Sequence, residues 1–195
     1  MTIKNIKRSP INKRVIDGVY ETNKMLLNVG KTTVTKLFKP HKSSSARRYK
    51  LEKESLTRLK GVNGTPELYG ADDAQFTLKM SRLPGVSAET LTPANIQALA
   101  KIVKDTLAAG VARHSMPIRD IVVDKEGQLG LVDFERVTLR KWSWRPDWIV
   151  ACWVSYYHLA RLIAEYQPHM LTSKQEKLVR FGAHSRSLVR FIHSL

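Results

Sequence analysis

IRDIVVDKEGQLGLVDFE, residues 118–135, is the stretch on which the fold turns. Two apolar runs, Ile118–Val123 and Leu129–Asp133, flank the turn Asp-Lys-Glu-Gly at 124–127, the pattern of a β-hairpin. Asp133 ends the second run, where a carboxylate can face a cleft and hold a divalent cation. Asp120 precedes the paired strand and opens onto the same side.

Outward from this hairpin the two halves of the chain differ. Downstream, helices are predicted from Asp147 to Tyr166 and from Ser173 to His193, the second opening with the capping box Ser173-x-x-Glu176. Asp147 reads as the cap of the first. Upstream, Thr92 followed by Pro93 opens a helix that Gly110 closes after Ala109. Beyond Leu83-Pro84-Gly85 the pattern becomes one of strands. RVIDGVY, KMLLNV and TTVTKLF, between Arg14 and Phe38, are β-branched and apolar runs separated by Gly18, Asn23, Asn28 and Gly30, which predicts an antiparallel meander. Pro40 and the serines at 43–45 break it, and Ser45 is the expected N-cap of a helix from Ala46 to Lys60. Tyr49, Glu52, Leu56 and Leu59 fall near one face of that helix. Gly61–Pro66 ends it, and short strands follow around Glu67–Tyr69 and Gln75–Met80. The order predicts an α+β fold in two lobes: a basic tail at 1–13, a small sheet with one helix at 14–82, and a mostly helical lobe at 83–195. The cleft between them is the natural ligand site.

Composition limits the function classes. The 195 residues include 33 Lys and Arg against 17 Asp and Glu, a formal charge of +16. With 43% apolar and 26% charged residues the chain can build a core and is not a disordered polyelectrolyte. Trp148–Val154 is the longest purely apolar run, far short of the roughly 20 residues a bilayer requires, so no transmembrane segment is expected. The start, MTIKNIKRSPINKR, is basic with no apolar block after it, unlike a signal peptide. Cys152, the lone cysteine, reads as a buried thiol in a reducing cytoplasm. The histidines show no zinc spacing. The positive charge favours polyanions such as nucleic acid, anionic lipid head groups or phosphorylated sugars, with a plain solvated basic face as the alternative.

Lys36 is mid-strand in VTKLF, between apolar neighbours, and a buried ammonium needs an acidic partner. Glu52 or Glu54 on the following helix can supply it. A lysine that snorkels from a strand edge, with the glutamates pairing Lys50 or Arg58 on their own helix, is the plainer alternative. His114 reads as a packing or capping histidine. Trp142, Trp144, Trp148 and Trp153 read as core anchors.

In this order and spacing the sequence resembles the protein-kinase-like superfamily, within it the compact bacterial and RIO-type kinases that include lipopolysaccharide core kinases. Lys36 resembles the strand lysine of the V-A-I-K motif, LEKESL the αC helix with Glu52 as the favoured partner, and LKMSRLPG at 78–85, with Met80, the hinge. Asp133-Phe134-Glu135 resembles D-F-G with Glu in place of Gly. The resemblance implies that Lys36, Glu52 and Met80 serve a bound ATP and that Asp133, helped by Asp120, holds Mg²⁺ and carries catalysis.

The sequence departs from that pattern in places. The catalytic loop of the family reads H-R-D-x-x-x-x-N. One register places Asp120 at the Asn position and Ser115 where the base belongs. The other makes Asp120 the base and leaves Lys125 at the second metal position. The first preserves the hairpin. No G-x-G-x-x-G precedes Lys36, so phosphate cradling by a glycine loop is not expected. Only 13 residues separate Asp133 from Asp147, too few for a long activation loop. That favours a small or glycan acceptor over a peptide. Arg136, Arg140, Lys141 and Arg145 form a basic run suited either to solvent or to a phosphorylated glycan or anionic lipid head group. Three readings follow: an ATP-dependent phosphotransferase acting at the cytoplasmic membrane face on a lipopolysaccharide-core or similar sugar, a pseudokinase serving as a binding module, and an RNA-associated basic protein.

Overall fold

The structure, a computed structural model, describes residues 17–39 and 44–192, with side chains described up to residue 182. The expected basic tail, the start of the first strand at Arg14, Pro40 and the end of the last helix at His193 lie outside the described residues.

Short apolar runs separated by tight turns give the first layer. β1 (Val19–Glu21), β2 (Met25–Val29) and β3 (Thr33–Phe38) form the antiparallel meander. β5 (Thr77–Ser81) pairs with β3, and β4 (Leu68–Asp72) closes a five-stranded sheet of order β1-β2-β3-β5-β4. One sheet face carries Phe38 and Lys36 from β3 with Leu78 and Met80 from β5, all buried. Across it packs α1 (Ser45–Arg58), burying Tyr49, Glu52, Ser55 and Leu56. Ser45 is not its N-cap: that position falls to Ser44, which makes no side-chain cap bond. The Ser45 hydroxyl instead donates to the Lys39 carbonyl at 2.7 Å, tying the helix start to the end of β3.

The expected hairpin becomes β8 (Ile121–Val123) and β9 (Leu129–Leu131), in register Ile121↔Leu131. Ile118–Asp120, expected as strand, is a single 3-10 turn after Pro117. β6 (Val86–Ser87) adds to β8, and a separate pair joins β7 (Val111–Arg113) to β10 (Val137–Leu139). β6, β7 and β10 are as short as β8 and β9 but have no turn motif joining them to their partners, which is why they escape a sequence reading. α2 (Pro93–Ala108), α3 (Pro146–Tyr166) and α4 (Ser173–Ile192) complete the element order.

Caps set where these helices begin. Thr92 and Asn95 satisfy each other reciprocally at the start of α2. At α4 the reciprocal pair is Thr172 with Gln175, one residue ahead of the expected Ser173 and Glu176. Asp147 does not cap α3. Pro146 fits the first helical position, so the helix starts one residue earlier. Asp147 then lies in the first turn, favoured by the helix dipole, and accepts from the Trp148 amide at 3.0 Å and from Arg145 at 2.9 Å.

The two halves are joined through backbone carbonyls. The Leu131 amide donates to the Gly64 carbonyl at 2.7 Å, and an Arg58 Nη donates to the Arg140 carbonyl at 2.9 Å. Gly85 has φ near +95°, and a Cβ there would stand 2.2 Å from the Val123 carbonyl oxygen, so the connecting segment lies against β8 only as glycine. Of the tryptophans, Trp148 alone is a core anchor. Trp142, Trp144 and Trp153 are 63%, 73% and 62% exposed. Cys152 is half-buried rather than buried, and burial raises its thiol pKa. No described helix is long and apolar enough to cross a membrane.

Candidate active site

The strand that carries Lys36 and the helix that carries Glu52 meet at a single ammonium. Lys36 Nζ is 2.6 Å from Glu52 Oε2, 2.9 Å from Asp133 Oδ1 and 3.4 Å from Glu135 Oε2, and the residue is only 3% exposed. Glu52 falls on the buried face of α1, whereas Glu54 pairs with Arg58 on the outer face. Burial disfavours the Lys36 ammonium, but Glu52, Asp133 and Glu135 together hold its pKa above the ordinary lysine value. Burial, with the charges of Asp133 and Glu135, raises the Glu52 pKa against the pull of Lys36. Burial also opposes ionisation of Asp133, yet Lys36 and Arg113 bring it below the usual carboxylate range. Ligand oxygens of Glu52, Asp133 and Glu135 lie within 4.8 Å of one another, a set of hard donors matched to a divalent cation. Lys36 is the cation they share. Asp133 has φ near +69°, a left-handed conformation that costs a non-glycine residue about 1–3 kcal/mol and persists only where its surroundings enforce it.

Neighbours that the sequence reading missed fix this arrangement. Glu135 is the third carboxylate on Lys36, and Arg48 reaches it at 3.3 Å from α1. The Phe134 amide donates to Glu52 Oε1 at 3.3 Å, locking the segment to the helix. Arg113, buried at the end of β7, donates to Asp120 Oδ2 and to the Val132 carbonyl, each at 2.6 Å, and to the Ser115 carbonyl at 3.2 Å. Its guanidinium lies 5.1 Å from the Phe134 ring centroid. Arg113 is followed by His114 and Ser115 and lacks the apolar residues on both sides that single out Lys36, so no local signal marks it.

Asp120 stands beside Arg113 at the mouth of the hairpin, and burial pushes its pKa up to about 6 despite that arginine. The unfolded chain therefore releases this proton first as pH rises, and folding disfavours the ionised form. The penalty is absent below the ordinary aspartate value, grows between it and about pH 6, and is complete above. Urea melts of the wild type and Asp120→Asn across this window measure it. The stability of the wild type relative to the variant is expected to fall by about 2–3 kcal/mol between pH 3.5 and 7. A difference that rises with pH would refute the assignment.

The other sequence-predicted residues are placed as follows. Met80 is packed in the core, on the same sheet face as Lys36. The four basic residues do not form one patch. Arg136 precedes β10 and is exposed, whereas Arg140 follows it, donating to the Ala108 carbonyl at 3.0 Å and lying 5.7 Å from the Trp148 ring. Arg145 pairs with Asp147, and Lys141 is exposed beside Trp142. Thr22, Asn23 and Lys24 join β1 to β2 without glycine. His114 Nε2 is 2.8 Å from the Thr138 hydroxyl, a packing role.

This small sheet with its paired lysine and helix, followed by a mostly helical half, defines a two-lobed, protein-kinase-like fold. Among solved structures the chain is similar to WbdD in complex with a kinase inhibitor, at TM-score 0.54 and 19% identity over 76% of this chain and 38% of that one. A second WbdD structure aligns at TM-score 0.52 and 18% identity over 72% of this chain and 35% of that one. WbdD is described as a bifunctional kinase-methyltransferase. The chain thus spans less than two-fifths of that protein's length, and identity at this level speaks to the fold alone. No family model matches the chain, and no curated protein matches it in sequence.

Proposed function

We propose that the chain is an ATP-dependent phosphotransferase with the site built on Lys36, Glu52 and Asp133. The observation that carries this reading is the convergence of one ammonium from β3 with carboxylates from α1 and from the segment after β9. The donor chemistry fits both ligands: Lys36 suits phosphate oxygens, and the carboxylates of Asp133 and Asp120 suit Mg²⁺. Bound Mg²⁺ would neutralise charge on the transferred phosphoryl group. Glu52 orients Lys36, and Arg113 holds Asp120. Glu135 closes Lys36 off, so a nucleotide must displace that carboxylate to reach the ammonium. In the transfer, an acceptor hydroxyl oxygen bonds to Pγ as the bond from Pγ to the β,γ-bridging oxygen breaks and ADP leaves. With Asp120 on Mg²⁺ and Ser115 at the base position no carboxylate takes the hydroxyl proton, which passes to an oxygen of the transferred phosphoryl group. A sugar of the lipopolysaccharide-core kind is the proposed acceptor, on the short spacing after Asp133 and the exposed Arg136 and Lys141.

Ser115 favours a second reading, a pseudokinase that binds nucleotide without turnover, because its hydroxyl cannot act as a carboxylate base. Calorimetric titration of Mg-ATP into the full chain, paired with a γ-phosphate transfer assay, separates the two. Binding that needs Mg²⁺, with turnover lost in Asp133→Asn, is expected. Binding without turnover would leave the pseudokinase, and absence of any nucleotide binding would overturn both.

A further inference from the structure

α3 is apolar on two sides. One buries Trp148, Ala151, Leu159 and Leu162 in the core. The other presents Ile149, Val150, Trp153 and Tyr156 at helical spacing, and these are 47%, 60%, 62% and 45% exposed. A helix apolar all round is normally buried all round. Trp153, Tyr156, Leu178 and Phe181 line a trough of about 640 Å³ between α3 and α4, and its polar lining is Lys174, Lys177 and Gln175. No acid lines it. Upstream in the sequence, the segment that leads into α3 carries Lys141 and the exposed Trp142 and Trp144. The nearest acids in the chain are already engaged, Asp147 by Arg145 and Glu176 by Arg180.

We infer that this face docks on an anionic lipid bilayer surface. Charge complementarity selects the occupant. The chain carries +16, and lysines flank the aromatic stripe where lipid head groups would meet them. Lysine is depleted in protein–protein interfaces, so a lysine-rimmed aromatic face fits phospholipid better than a protein partner or a second copy. Indole rings place an apolar body and a polar N–H at the depth where acyl chains give way to head groups. The inference stands on this surface alone and needs no phosphotransfer.

Co-sedimentation of the full chain with vesicles of phosphatidylcholine containing about 30% phosphatidylglycerol, against pure phosphatidylcholine, is the test. Binding to the anionic vesicles only, falling with salt and accompanied by a blue shift of tryptophan emission, is expected. Trp153→Ala with Phe181→Ala, and separately Lys174→Glu with Lys177→Glu, should each weaken it about ten-fold or more while leaving the circular dichroism melt unchanged, since all four side chains are exposed. No binding to anionic vesicles, equal binding to both, or binding that neither variant pair weakens would overturn the inference. So would a concentration-dependent dimer, seen by sedimentation velocity, that Trp153→Ala dissolves.

Discussion

Lys36→Met is expected to cost about 3–5 kcal/mol of stability, because it leaves buried carboxylates without their cation. Glu52 and Glu135 are 2% and 9% exposed, and among the described residues Arg48 beside Glu135 and the charge of Arg113 felt by Glu52 compensate them only in part. Each acid must bind a proton or admit water, so the loss should shrink as pH falls and the carboxylates are neutralised. Urea melts at pH 5 and pH 8 measure both statements. Adding Glu52→Gln to Lys36→Met should recover part of the loss, since the shared ammonium couples these residues strongly. A lysine that only snorkels from a strand edge would cost less than about 1 kcal/mol, and that outcome would dissolve the site. Nucleotide binding is therefore best tested at Asp133, which is part-exposed, because a Lys36 variant mixes loss of contact with loss of fold.

The physics of this cluster also explains what was legible in the sequence. A lysine between apolar neighbours announces a buried ion pair, and helical spacing puts Glu52 with Tyr49 and Leu56 while Glu54 falls with Arg58. Asp133 was readable because an acid ends an apolar run. Glu135 and Arg113 were not, because each gains its meaning only from long-range closure: Glu135 from α1 through Arg48, Arg113 from the 3-10 turn through Asp120. The tryptophans fail for a geometric reason. Trp148 and Trp153 are five residues apart, which rotates them by about 140° around a helix, so one core face cannot take both. Composition says that indoles bury, and only that rotation says which one does. The basic run after Asp133 misleads similarly, since β10 separates Arg136 from Arg140 and local partners hold Arg140 and Arg145.

Arg113→Met is the second large effect, again about 3–5 kcal/mol, for the opposite reason: a single cation there serves several acceptors. Its fork satisfies Asp120 and the carbonyls of Val132 and Ser115, and it lies over Phe134, so one side chain joins the turn before the hairpin to the segment carrying Asp133. Without it the remaining cation near Asp120 is Arg119, at 3.8 Å and largely exposed. Arg113→Lys should recover only a minor part, because an ammonium cannot reproduce a planar fork. The decisive measurement is a double-mutant cycle with Asp120→Asn. If Arg113 acts by compensating a buried acid, the two losses will be strongly less than additive, and the titration of Asp120 in Arg113→Met will move above about 6. If solvent already satisfies Asp120, the cycle will close additively and the single cost will stay under about 1 kcal/mol. The stability of the segment carrying Asp133 and the acid–base poise of Asp120 thus depend on one arginine outside every motif of the sequence.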